Sequence, residues 1–144
     1  MKHIFVLLFT MIVIQYQSCY SQGNKTPDIF DNRFQLLVSD IENQTDYYFL
    51  VQDRNENFIS VWLRIKLPNI ETKDSKNKLV KKTGGFELVL YTIDCNEQII
   101  EEKKRVRTNI LGMIQNVIPK YPENNSFKII PRTFMDLLRI NTCE

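Results

Sequence analysis

Cysteine is the residue type in this chain with the clearest chemistry. The 144-residue sequence contains three cysteines, Cys19, Cys95 and Cys143. Cys19 follows an apolar N-terminal stretch and is expected to be either removed with that stretch or acylated. Cys95 and Cys143 then remain as an even pair of thiols. In an oxidising compartment such a pair is expected to form a disulfide bond, and two buried free thiols are the alternative. The first predicted site is therefore a Cys95–Cys143 disulfide.

Histidine chemistry is not available to the predicted mature chain. The only histidine is His3, within the N-terminal stretch. The predicted mature chain therefore has no imidazole for a Ser–His or Cys–His catalytic pair or for a histidine-ligated metal site. Four carboxylates fall near predicted strand ends, but their spacing specifies no shared cleft: Asp40, Glu42, Asp46 and Asp94. We predict a protein that is not an enzyme, with no catalytic residue and no cofactor; catalysis by carboxylates alone is the remaining enzymatic alternative.

Residues 53–57, Asp-Arg-Asn-Glu-Asn, are similar to the start of a calcium-binding loop. Phe58 stands where such a loop needs glycine, and Arg64 stands where it needs a bidentate glutamate. We interpret the run as a hairpin turn and predict no metal site.

Two features could serve binding. Lysines are dense between residues 71 and 82, at Lys73, Lys76, Lys78, Lys81 and Lys82. They could meet a polyanion or an acidic protein surface, although a solvated mobile loop closed by a flexible Gly84-Gly85 turn has the same composition. Trp62 and Arg64 share the less aliphatic side of a strand, where an exposed pair would be a binding hot spot. The alternative is a Trp packed beneath a loop.

The N-terminal stretch has the features of a signal peptide. Residues 4–14 are almost entirely apolar and too short to span a bilayer. Cleavage after Ser21 predicts a signal peptide over 1–21; the alternative is a lipoprotein signal ending at Ser18, with Cys19 acylated. We expect residues 22–33 to be a flexible lead and residues 34–144 a single domain. Export and a net charge of only +2 argue against a nucleic-acid partner.

Alternating side chains predict a sheet. The clearest strand covers 58–67, where aliphatic residues from Ile59 to Leu67 occupy every second position. Further strands are predicted over 34–38, 45–51, 86–94 and 110–118, whereas 98–107 fits either a helix or a strand.

The final stretch predicts a short amphipathic helix. Pro131 suits its opening, and Phe134, Leu137 and Leu138 fall on one stripe. The predicted class is therefore α+β: an antiparallel sheet of about six strands, with the C-terminal helix packed on one face and one disulfide.

Three short motifs occur in order between residues 36 and 144. They are Val61-Trp62-Leu63-Arg64, Ile93-Asp94-Cys95, and Ile130-Pro131 before a helix that ends at Cys143. This order resembles the bacterial surface-adhesin protein E family. The resemblance implies a sheet of about six strands crossed by a C-terminal helix, and a disulfide between Cys95 and Cys143. It also implies export in a Gram-negative bacterium, binding of host extracellular-matrix proteins, and formation of homodimers.

The function predicted from these features is that of a non-enzymatic exported binding protein, adhesin E-like, in the periplasm, secreted or on the outer-membrane surface. Its expected partners are matrix proteins, other proteins or polyanions, and it would contact a membrane only through a lipid on Cys19. A small secreted inhibitor or immunity-type protein is the alternative.

Overall fold

The computed structural model describes residues 25–73, 75–82, 84–118 and 125–144. The predicted signal peptide, Cys19 and residues 22–24 of the lead lie outside the described residues. Within those ranges the strands and the helix are β1 Gln35–Asp40, β2 Thr45–Asn55, β3 Phe58–Lys66, β4 Ile70–Lys73, β5 Leu79–Lys82, β6 Phe86–Asp94, β7 Ile99–Thr108, β8 Ile114–Ile118, β9 Ser126–Lys128 and α1 Phe134–Cys143.

The described strands form two antiparallel sheets. Seven of them form the main sheet, in the order β1-β2-β3-β6-β7-β8, with β9 also paired to β7. Strands β4 and β5 form a separate two-stranded sheet between β3 and β6 in the chain. The predicted antiparallel sheet with a C-terminal helix is confirmed, with seven strands in the main sheet instead of about six. No helix among the described residues is long and apolar enough to cross a membrane.

The segment that fitted either a helix or a strand is strand β7. Its register against β6 shifts between Leu90 and Tyr91, which pair with Lys104 and Glu102, so Lys103 is an extra residue in a β-bulge. A bulge reverses the sides to which the following residues point. Ile100 and Val106 are both fully buried, yet they belong to different apolar clusters. The period of two is therefore broken inside the strand, which explains the ambiguous sequence pattern.

The main sheet has buried side chains on both faces. The first cluster contains Phe49, Val61, Leu63, Val89, Tyr91, Ile93, Ile100, Ile129 and Leu138. The second cluster contains Ile29, Phe34, Leu50, Trp62, Leu88, Leu90 and Val106. Members of the two clusters alternate along β3 and β6, and alternate residues of a strand point to opposite faces. The continuous apolar run in β6 is typical of a strand buried on both sides.

The second cluster includes part of the N-terminal lead. Ile29 is 2% exposed, and its carbonyl oxygen accepts a hydrogen bond from the guanidinium of Arg64. Lys104 Nζ donates to Thr26 Oγ1 at 2.9 Å. The lead is therefore held on the fold at Thr26 and Ile29, which differs from the flexible segment expected over 22–33.

The C-terminal helix begins at Phe134, three residues after the expected opening at Pro131. Thr133 is its N-cap, and the Thr133 side chain accepts a hydrogen bond from the backbone N–H of Asp136. At the other end, Cys143 is bonded to Cys95, with the two Cα atoms 5.8 Å apart. The predicted disulfide is confirmed.

Candidate functional site

Trp62 is buried and Arg64 is half-buried, so the two do not form the exposed binding pair expected from the sequence. Trp62 is 1% exposed, and its Nε1 donates to Gln52 Oε1 at 2.5 Å. The Arg64 Cζ atom lies 4.5 Å from the ring centroid of Phe34 and 4.2 Å from that of Tyr48. Burial lowers the pKa of the Arg64 guanidinium. Arg64 thus holds the lead on the sheet, and Trp62 packs in the second cluster beside it.

The lysine-rich residues form a hairpin instead of the expected mobile loop. Strands β4 and β5 pair Lys73 with Leu79 and Glu71 with Lys81. The side chains of Lys73, Lys76 and Lys78 are exposed, whereas those of Lys81 and Lys82 lie outside the described residues. Sequence patterns missed this hairpin because charged residues interrupt both short strands.

Gly84 and Gly85 form a close contact at the base of this hairpin. A Cβ atom on Gly84 would lie 2.1 Å from the Leu67 carbonyl oxygen, and one on Gly85 would lie 1.9 Å from that of Thr108. The Gly84 N–H also donates to Asn69 Oδ1 at 3.0 Å. Only glycine fits such an approach of backbone to backbone. The two glycines, interpreted from the sequence as a flexible turn, therefore attach the hairpin base closely to the main sheet.

Three of the four carboxylates that could serve catalysis, Asp40, Asp46 and Asp94, accept hydrogen bonds from nearby residues. Asp40 accepts hydrogen bonds from the side chain and backbone of Asn43, which lower its pKa. Asp94 accepts from two backbone N–H groups of the turn that follows it. Asp46 accepts from Ser39 Oγ at 2.7 Å. Among the residues that the structure describes, no group of three or more His, Cys, Asp or Glu side chains could hold a metal ion.

A network of ion pairs, not predicted from the sequence, joins β6 and β7. Glu87 is 7% exposed and binds Arg105 and Arg107, the latter at 2.9 Å. Arg105 also binds Glu102 at 2.6 Å. Burial, followed by the charge of Glu102, raises the pKa of Tyr91 to about 12. The arginines pair with both carboxylates, so the network joins β6 and β7.

An apolar groove lies between β1 and the C-terminal helix. It has a volume of about 510 Å³ and is lined by Val38, Arg132, Thr133, Phe134, Asp136, Leu137 and Ile140. One sequence feature indicates the groove, because the apolar stripe of the helix is wider than the part of the helix that is buried. Leu138 is fully buried, whereas Leu137 and Ile140 are 37% and 38% exposed.

No protein-family model, curated protein or solved structure matches this chain.

Proposed function

We propose that this protein is a non-enzymatic exported binding protein that recognises a polyanion or an acidic protein surface through the β4–β5 hairpin. The similarity of its motifs to the protein E family is part of this proposal and supports a host matrix protein as one partner of that kind. The proposed location is the periplasm or cell surface, because a disulfide persists in an oxidising compartment.

The distribution of charge carries the proposal. Residues 70–82 contain five lysines and two acidic residues, hence a net charge of +3, against +2 for the whole chain. The excess positive charge of the protein is thus concentrated in one hairpin, and the rest of the chain is close to neutral. A local patch of one sign attracts an oppositely charged partner even when the whole protein is nearly neutral.

The hairpin is also suited to presenting that charge. The described strands β4 and β5 pair with each other and with no strand of the main sheet. The close contact at Gly84 and Gly85 fixes their base. Lys73, Lys76 and Lys78 are exposed on this support. A partner can therefore approach the lysines without disturbing either cluster.

We further infer that the C-terminal helix packs across the first cluster and serves stability more than recognition. The rings of Tyr47 and Phe134 have centroids 4.8 Å apart, and Leu138 belongs to the first cluster. Arg54 donates to the Thr142 carbonyl oxygen at 2.7 Å. These contacts and the disulfide attach the helix at both of its ends.

Heparin is a suitable polyanionic probe for the hairpin. We compare the wild-type protein with a Lys76→Glu/Lys78→Glu variant, and with a Lys25→Glu/Lys128→Glu control that makes the same charge change at exposed lysines elsewhere. The hairpin variant should lose affinity, and the slope of log affinity against log salt should fall by about two, one unit for each lysine contact.

The control variant separates local recognition from attraction by net charge. We expect it to retain nearly all of the affinity for heparin. Equal losses in the two variants, or no binding of heparin and acidic matrix proteins by the wild type, would refute recognition by the hairpin.

A further inference from the structure

We propose that the groove between β1 and the C-terminal helix binds an extended peptide segment of a partner protein, with an apolar side chain in the groove and a carboxylate beside Arg132. This site is separate from the basic hairpin and does not depend on the function proposed for it.

The apolar part of the groove is formed by Val38 from β1 and by Phe134, Leu137 and Ile140 from the helix. Leu137 and Ile140 belong to neither apolar cluster of the fold. Their exposed surfaces form a second apolar strip on a helix whose buried residues are Leu138 and Thr142. A volume of about 510 Å³ is within the range of ligand sites and is sufficient for a few side chains.

Strand β1 provides backbone groups beside this strip. Within the described residues it pairs with β2 and no other strand, so it is an edge of the main sheet. Its register is interrupted between Leu36 and Val38 and is regular from Val38 to Asp40, next to the groove. An edge strand beside a helix can accept an extended peptide as an added strand, and its side-chain pockets then select the sequence.

Charge at one end of the groove determines the chemistry of the peptide. The carboxylate of Asp136 accepts from the Arg132 backbone N–H at 2.9 Å and binds the guanidinium of Arg139 at 2.8 Å. Both contacts, first the one to Arg132, lower the pKa of Asp136. The guanidinium of Arg132 itself has no ion-pair or hydrogen-bond partner in the part of the chain that the structure describes. It is an exposed cation beside an apolar strip, which complements a peptide with an acidic residue next to an apolar one.

The described part of the lead does not occupy this groove. Its Ile29 and the adjoining Phe34 belong to the second cluster, whereas Phe134 packs against the first. Ile29 and Phe34 therefore lie on the opposite face of the sheet, and the occupant that we propose is a segment of a partner protein.

Random peptides displayed on phage provide the probe, with the disulfide-bonded chain as bait. The selected peptides should alternate apolar residues and share an acidic residue. When a selected peptide is added to the labelled protein, backbone amide shifts should change at residues 38–40 and in the helix. Failure to select any peptide, or shift changes confined to residues 70–82, would overturn the proposal.

Two variants test the apolar and charged parts separately. Ile140→Lys should weaken binding of the selected peptide by about tenfold or more, whereas Ile130→Lys, at a residue that is 67% exposed and does not line the groove, should not. Arg132→Gly removes the cation at a position with φ of +65°, which glycine adopts readily. It should keep the fold and lose about tenfold in affinity for the acidic peptide, but not for the same peptide with an amide in place of the acid.

The outcomes are distinct from those of the heparin experiment. A Lys76→Glu/Lys78→Glu variant should bind the selected peptide as the wild type does. Unchanged peptide affinity in both Ile140→Lys and Arg132→Gly would refute the groove as the site, whatever the hairpin variant shows.

Discussion

Among substitutions outside the two apolar clusters, removal of the disulfide should cause the largest loss in the free energy of unfolding. Cys95 and Cys143 are 48 residues apart in the chain. In the chain-entropy model, a closed loop of that length stabilises the folded state by about 4 kcal/mol at about 25 °C. Small domains have a free energy of unfolding of about 5 to 15 kcal/mol, so this is a large share. With an unfolding entropy of about 2.1 cal/mol/K per residue over roughly 120 residues, the melting temperature should fall by about 15 °C.

The perturbation is the Cys95→Ala/Cys143→Ala variant, compared with the oxidised and the reduced wild type in urea. Trp62 is the only tryptophan and lies in the second cluster, so its fluorescence reports on the sheet at a distance from the bond that is removed. Circular dichroism follows the helix in the same samples. Reductant should shift the wild-type midpoint toward that of the variant and leave the variant unchanged.

Two results would refute this reasoning. A loss of less than about 1 kcal/mol would show that the loop closed by Cys95 and Cys143 is already restricted in the unfolded chain, since the entropic term depends on the freedom of that loop. A variant in which helix and sheet unfold at different urea concentrations would show that the bond holds only the helix and not the whole domain.

Three smaller perturbations test the packing and the buried phenol. Leu138→Ala should lower the free energy of unfolding in urea by about 2 to 5 kcal/mol, because the Leu138 side chain is fully buried. Ile140→Ala should lower it by less than about 1 kcal/mol, and similar losses in the two variants would contradict the inferred helix packing. Arg64→Met should lower the free energy of unfolding by about 1 to 3 kcal/mol, since it removes the hydrogen bond to Ile29 and the cation stacked on Tyr48. It should also expose the chain around Ile29 to protease, and an unchanged cleavage rate would argue against the contact between Arg64 and Ile29. Burial raises the pKa of Tyr91 to about 12, so between about pH 10 and pH 12 the phenol is protonated in the folded state and ionised in the unfolded state. The free energy of unfolding that is present below about pH 10 should therefore decline toward pH 12. Tyr91→Phe should lessen that decline in thermal melts, and an identical decline would show that other groups cause it.

Much of the sheet could be predicted from the sequence because β3 alternates strictly and β6 is a continuous apolar run of strand length. The strand predicted over 58–67 corresponds to β3, and the one over 86–94 coincides with β6. The disulfide followed from counting cysteines. These features depend on local periodicity and on covalent chemistry, which a sequence shows directly.

The second buried face could not be predicted in the same way. A period of two shows that a strand has two different sides, but not what covers the more polar one. Here the covering segment is the lead with the adjoining Phe34. Ile29 and Phe34 have mostly polar residues between them and form no stripe. Trp62 therefore had the same sequence pattern as an exposed binding residue. The bulge at Lys103 concealed β7 for a related reason, since it depends on pairing with a distant strand.

Trp62, predicted from the sequence as a binding residue, differs from the residues proposed from the structure in how much its replacement should destabilise the fold. Trp62 is buried in the second cluster, so its replacement would open a cavity there, and a loss of binding could not be distinguished from a loss of fold. Lys76, Lys78 and Ile140 belong to neither cluster, and exposed substitutions away from a core usually change stability by less than about 0.5 kcal/mol. Their variants should therefore melt close to the wild type, so that a loss of binding reports a lost contact and not a lost fold. A fall in melting temperature of more than about 5 °C in these variants would mean that the residues support the domain itself.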